Sequence, residues 1–244
     1  MTYLDRQDGT RIWYQKVGPA GGDRALPVVL SHGFGASAEM WLPNVAALAA
    51  GHEVVTWDLR GHGQTRCPLD QNLYTAGACV EDLAALLDEV GAERAVLGGL
   101  SLGGYLSLAF YLAYPERVAG LVLADTGPGF RNNEARQNWN DRAYAQADRL
   151  AKADDQASAS LAMAARGILA QDDATVIDSL PGVSVPTLVM VGAQDTAFLG
   201  AASYMTAKIP GAVQVTLDGA GHMSNIDARE AFNHEVVKFL DGLP

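Results

Sequence analysis

Short, uninterrupted apolar runs alternate along this chain with longer stretches in which apolar residues recur every three or four positions. The runs at 26–30, 53–57, 96–99, 118–124, 186–191 and 213–217 have the length of strands. The first five are nearly continuous in apolar residues, which is what burial on both faces requires. The stretch 74–90 puts Val80, Leu83, Leu86, Leu87 and Val90 on one helical face, and 39–50, 102–114, 198–208 and 227–240 are also predicted helices. The segment 10–17 does alternate and is predicted to be an edge strand, followed by a turn at Gly18-Pro19-Ala20-Gly21-Gly22-Asp23. From 129 to 180 the texture changes to alanine-rich and polar. Trp139, Ala143, Ala147 and Leu150 share one helical face there, Leu161, Ala164, Ile168 and Leu169 another, and no strand pattern appears. Alternating strands and helices predict an α/β fold, a mostly parallel central sheet with helices on both faces. The expected organisation is a core over 1–128, a short helical insertion over 129–181, and the rest of the core over 182–244.

Composition narrows the classes. The 244 residues, 49% hydrophobic and 18% charged, fit one large globular domain carrying a small insertion. The longest apolar runs are far too short to span a bilayer, so no membrane partner is expected. The opening Met1-Thr2-Tyr3-Leu4-Asp5-Arg6 lacks the charged-then-apolar order of a signal peptide, which points to the cytoplasm. A formal net charge of −11 argues against nucleic acid, whose affinity comes largely from lysine and arginine neutralising phosphates. Cys67 and Cys79 form no C-x-x-C or Cys/His cluster and are expected as free thiols, not metal ligands.

In an open parallel sheet, ligands gather at the carboxyl ends of the strands. The residues following the predicted strands are His32–Gly35, Asp58–Thr65, Ser101–Leu102, Asp125–Gly127, Asp195 and His222, and nearly every chemically capable side chain falls in this set. Gly99-Leu100-Ser101-Leu102-Gly103 fits G-x-S-x-G between a strand and an apolar helix, the sharp turn that lifts one serine hydroxyl above a sheet. A Cβ two positions to either side of Ser101 would collide with the folded backbone, which favours glycine at both. A serine needs an adjacent base, and the base an orienting acid. His222, in the loop between the last strand and the last helix, is the expected base; Asp195, after the preceding strand, is the expected acid. The backbone N–H of Leu102, at a helix start, and that of Phe34, between two glycines, are the expected oxyanion donors.

With these residues in hand, the chain resembles the α/β-hydrolase superfamily. His32-Gly33-Phe34-Gly35 is similar to its oxyanion loop, Asp58-Leu59-Arg60-Gly61-His62-Gly63 to a loop frequent in its small-molecule hydrolases, and Gly99–Gly103 to its nucleophile elbow. The 186–195 segment resembles the acid strand, and Gly219-Ala220-Gly221-His222-Met223 the histidine loop. The resemblance implies acyl transfer to water, needing no cofactor or metal, on a small-molecule ester or lactone. Carboxylic ester hydrolysis is the first reading. An enol-lactonase-like lactonase or a carbon–carbon-bond hydrolase of aromatic catabolism is the second, and a binding protein without turnover the third. Serine at the elbow, where the family's dehalogenases and epoxide hydrolases have aspartate, argues against those reactions. Residues 129–181 take the position of the family's cap.

Competing roles accompany several residues. Asp125 also ends a strand and is an alternative acid or a loop brace. His32 and His62, in tight loops, are expected to bond backbone rather than act as bases. Arg60 is expected to pair with Asp58 or a nearby carbonyl rather than with substrate. Phe34, Trp41, Trp139 and Tyr144 are candidates for lining an acyl pocket or for plain core packing.

Overall fold

The computed structural model describes residues 2–19 and 26–244. Of the turn predicted after residue 17, positions 20–23 therefore lie outside the described residues. The chain opens with strand β1 (Thr2–Asp5) and β2 (Arg11–Val17), followed by β3 (Val28–Ser31), a 3-10 turn (Ala38–Trp41), helix α1 (Leu42–Leu48) and β4 (Val54–Trp57). Helix α2 (Ala76–Glu89), capped by the Thr75 hydroxyl, leads to β5 (Ala95–Leu100), α3 (Leu102–Ala113) and β6 (Val118–Ala124). Then come α4 (Asn133–Leu150), α5 (Gln156–Ala164), a π turn (Ala165–Leu169) and α6 (Thr175–Ser179). The chain closes with β7 (Thr187–Gly192), α7 (Leu199–Lys208), β8 (Val213–Leu217), α8 (Ser224–Asp227) and α9 (Arg229–Asp241).

The eight strands form one sheet in the order β1-β2-β4-β3-β5-β6-β7-β8. β2 pairs antiparallel with β1 and β4, and every other pair is parallel. β2 is thus an interior strand rather than the predicted edge. The edge is β1, four residues too short for a periodic signal. The side-chain period of two sorts each central strand between two cores. Val29, Ala95 and Leu97 face a cluster with Leu83 and Leu86 of α2, Phe110 of α3 and Met205 of α7. Val28, Leu30, Val96 and Leu100 face the opposite cluster, with Val45 of α1 and Phe232 and Val236 of α9. The sheet is covered on both sides, so the catalytic candidates have only its carboxyl edge to emerge from. β3 lies between β4 and β5, where the chain order reverses, and a crevice opens at such a point.

Candidate active site

Ser101 sits between β5 and α3 at φ 55° and ψ −116°, a conformation L-residues avoid. Neighbouring bonds hold it there. Its N–H donates to Ala124 O at 2.9 Å, and its carbonyl accepts from the N–H of Gly104 and Tyr105 and from the Thr126 hydroxyl at 2.6 Å. The flanking glycines are required sterically: a Cβ at Gly99 would lie 2.2 Å from the Gly103 carbonyl carbon, and one at Gly103 2.1 Å from Ser31 O. Backbone strain of this kind costs about 1–3 kcal/mol and persists only where packing fixes it.

The loops after β7 and β8 bring an acid and an imidazole together. The Ala193 N–H donates to Leu217 O at 2.9 Å and the Gln194 N–H to Ala220 O at 2.8 Å, joining the two loops. That approach needs glycine at 192, where a Cβ would sit 2.2 Å from Gly221 O. His222 Nδ1 lies 2.7 Å from Asp195 Oδ2. The carboxylate is buried, 6% exposed, while the imidazole is 42% exposed and stacks on Phe198 with ring centres 5.0 Å apart. An acceptor-only carboxylate fixes the Nδ1–H tautomer and leaves Nε2 with no protein partner among the described residues.

The loop after β3 lies against the serine: a Cβ at Gly33 would be 3.4 Å from the Ser101 Cβ. Among the described residues, the N–H groups of Phe34 and Leu102 have no hydrogen-bond acceptor. The Phe34 ring packs toward Ala147, Ala162 and Ala165 of the helical segment and edge-on to His62 at 5.4 Å. His32 is fully buried. Leu59 N–H donates to its Nε2 at 3.0 Å, so the proton sits on Nδ1, which donates to Gly33 O at 2.7 Å. His62 Nδ1 donates to Arg60 O at 3.0 Å. Burial lowers His32 to about 4 and, with His32 beside it, His62 to about 3, so both are neutral braces.

Asp125, the alternative acid, does not touch His222. Its carboxylate accepts from Gly192 N–H at 2.8 Å and from the Ser224 hydroxyl, tying the acid loop to the histidine loop. Burial outweighs these two donors and the attraction of His222, and with the nearby Asp195 charge raises Asp125 to about 6. Arg60 is structural, and of its expected partners it meets a nearby carbonyl, Leu73 O, but not Asp58; its main partner is Asp82. Asp58 is taken up by the N–H groups of Ala38 and Gln64, while Arg60 forms a fork on Asp82 at 2.6 and 2.8 Å and also reaches Asp8 and Leu73 O.

A cavity of about 340 Å³ opens at Ser101 and Leu102, walled by the loop after β6, α4 and the start of α7. Trp139 lines it, its Nε1–H donating to Leu169 O at 2.9 Å. Trp41 and Tyr144 do not. Trp41 is buried in the core against Phe232, 6.1 Å away, and Tyr144 lies on the exposed side of α4. The cavity also exposes Thr126, which falls in the strand-end set 125–127, and Tyr105, Arg142, Gln171 and Phe198, which the sequence did not single out. Thr126 and Phe198 follow strand ends within three residues of a candidate acid; Tyr105, Arg142 and Gln171 carry no such signal. Among the described residues, Cys67 and Cys79 are free and buried, no cluster of three or more His, Cys, Asp or Glu has metal-ligating geometry, and no helix is long and apolar enough to cross a membrane.

The order of strands, the strained serine turn and the joined loops after β7 and β8 define an α/β hydrolase architecture. A family model described as the alpha/beta hydrolase fold matches residues 27–177, and the chain belongs to that family. It is 28% identical to 3-oxoadipate enol-lactonase 1 of Acinetobacter baylyi over 94% of this chain and 92% of that protein. The solved enol-lactonase from Burkholderia xenovorans LB400 superimposes with a TM-score of 0.82 at 29% identity, covering 98% of this chain and 100% of that one. A thermophilic esterase from Thermogutta terrifontis does so with 0.83 at 27% identity, covering 99% and 98%. Against two further curated relatives, 35% and 39% identical, the chain spans less than half their length, 44% and 42%.

Proposed function

We propose that the chain is a serine hydrolase that cleaves carboxylic esters of small substrates through an acyl-enzyme on Ser101, with Asp195 and His222 completing the triad. The observation that carries the reading is the 2.7 Å Asp195–His222 hydrogen bond, formed at the same sheet edge as the strained serine. With Nδ1–H committed to Asp195, Nε2 is the base that takes the Ser101 proton as Oγ attacks the carbonyl carbon. Negative charge develops on the carbonyl oxygen. The free N–H groups of Phe34 and Leu102 receive it, each worth on the order of 3 kcal/mol of barrier. Leu102 begins α3, so the helix dipole adds to its pull. The tetrahedral species collapses, His222 Nε2 gives its proton to the departing alcohol, and the acyl group stays on Ser101. Water then attacks, passing its proton to Nε2; collapse returns that proton to Ser101 Oγ and releases the acid. Residues 129–181 serve as the cap over this centre, with Trp139 against the acyl group.

Similarity to the enol-lactonases along nearly the full chain favours lactones as the second substrate class. The attack is the same, and the leaving oxygen remains tethered to the acyl chain. Steady-state turnover of short p-nitrophenyl esters and of lactones of matched size separates the two, with higher kcat/KM on esters expected. Ser101→Ala is expected to abolish turnover and labelling by a fluorophosphonate, and Asp195→Asn to lower kcat roughly 10⁴-fold with the fold intact. A near-silent Asp195→Asn beside an inactive Asp125→Asn would reassign the acid.

A further inference from the structure

The wall of the Ser101 cavity is mostly apolar, and Arg142 is its one charged residue among those described. Arg142 stands on α4 three residues beyond Trp139, which places both on the cavity side of that helix. In a chain of net charge −11, other arginines readily find carboxylates: Arg6 and Arg60 on Asp82, Arg117 on Asp88, Arg131 on Asp178. Arg142 forms no ion pair among the described residues, and no Asp or Glu lines the cavity with it.

Two more polar residues line the same space, each with a side-chain polar atom that has no hydrogen-bond partner among the described residues. Gln171 is 7% exposed and its backbone is clamped to the Asn140 side chain by bonds of 2.8 Å in both directions, yet its side-chain Oε1 is buried with no hydrogen-bond partner. A buried amide left unsatisfied costs about 1–3 kcal/mol, which a ligand that pairs with it recovers. Its oxygen and nitrogen exchange places by a simple flip, so it can present N–H to an anion. The Tyr105 hydroxyl likewise has no partner among the described residues, and burial pushes its ionisation up to about 12, so it remains a donor at neutral pH. Asp172 and Asp173 lie near enough to Tyr105 to raise it as well, but neither lines the cavity, and Asp173 already accepts from Thr175 N–H.

We infer that this cavity selects acyl groups ending in a carboxylate, held by Arg142 at the solvent side with the Tyr105 hydroxyl and the Gln171 amide as further donors. The favoured substrates are then half-esters of dicarboxylic acids, or lactones bearing a carboxylate arm. A carboxylate accepts a planar guanidinium as a two-toothed fork, which gives Arg142 an orienting role that lysine fills less well. The inference rests on Ser101 being the nucleophile, since that fixes where the other end of the acyl chain lies.

The test compares p-nitrophenyl half-esters of succinate through pimelate with their ω-methyl esters, which match them in length and lack the charge. Wild type is expected to prefer the free acid by about tenfold or more in kcat/KM at one chain length, chiefly through KM. Arg142→Gln should bring that ratio close to one, Arg142→Lys should restore part of it, and Arg142→Glu should reverse it. A wild-type ratio near one at every length, or a ratio unchanged in Arg142→Gln, overturns the assignment. Calorimetric binding of adipate and glutarate provides a readout independent of turnover. Arg142-dependent binding with no ester hydrolysis would uphold the carboxylate site while sinking the acyl-transfer reading; hydrolysis without Arg142-dependent selectivity or binding would do the opposite.

Discussion

A methyl group added at position 103 would sit 2.1 Å from the backbone oxygen of Ser31, an atom fixed in β3 and unable to retreat. Gly103→Ala is therefore expected to cost about 3 kcal/mol or more in urea unfolding, together with most of the hydrolytic activity proposed above. Gly51→Ala, where a Cβ meets nothing within 4 Å, is the control and should change stability by less than about 1 kcal/mol. Equal costs at the two positions would remove the steric account of the elbow. The elbow was legible in sequence because its geometry forbids side chains at fixed offsets from Ser101, and a prohibition leaves a pattern. Aromatic residues leave none. Trp41 and Trp139 read alike as apolar rings near a strand-end loop or the insertion, and only the docking of α1 on α9 sends the first to the core while the second lines the cavity. Arg142 was silent for a related reason: which face of α4 meets the cavity is decided by packing, not by local composition.

At the level of elements, the long parallel strands were readable because burial on both faces leaves them uniformly apolar. β1 was not: Thr2–Asp5 shows only partial burial in four residues, and its place is set by pairing with β2. The Asp58–Thr65 loop was legible as a polar, glycine-bearing turn, but its long-range partner was not, since Asp82 reads simply as a helical carboxylate. In the fold Asp82 is wholly buried on α2 and receives both Arg60 and Arg6, so it locks the loop after β4 and the segment after β1 to one helix. Asp82→Asn leaves the buried Arg60 charge poorly matched and is expected to cost about 3–5 kcal/mol. The double replacement Arg60→Met with Asp82→Leu should recover much of that loss, because it removes both buried charges. Thermal unfolding of the two variants checks this, and a single substitution costing under about 1 kcal/mol would mean that water already reaches the pair.

For the whole molecule, the buried titratable groups around the sheet edge set the acid limb of stability, and their signs oppose one another. His32 at about 4 and His62 at about 3 lie below the ordinary 6.5, so below pH 6.5 the unfolded chain binds protons that the native state refuses. Their contribution is present above pH 6.5 and is lost as pH falls toward those folded values. Asp125, raised from 3.8 to about 6, works the other way: the native state takes its proton first, which favours folding as pH drops through 6. Asp58, also raised by burial, adds to that side, while Asp8, Asp155 and Asp173 are lowered and titrate beneath this window. Between pH 6.5 and 5 the histidines call for about two protons on unfolding and Asp125 returns about one. Stability should therefore fall with acid at about 1.4 kcal/mol per pH unit. Asp125→Asn keeps an acceptor for Gly192 N–H and offers its amide N–H to the Ser224 oxygen, yet cannot take up the proton. Its slope in urea unfolding measured across the same window should approach twice the wild-type value. Parallel slopes for the two proteins would show that Asp125 stays ionised in the native state and that its two hydrogen-bond donors, not burial, govern its charge.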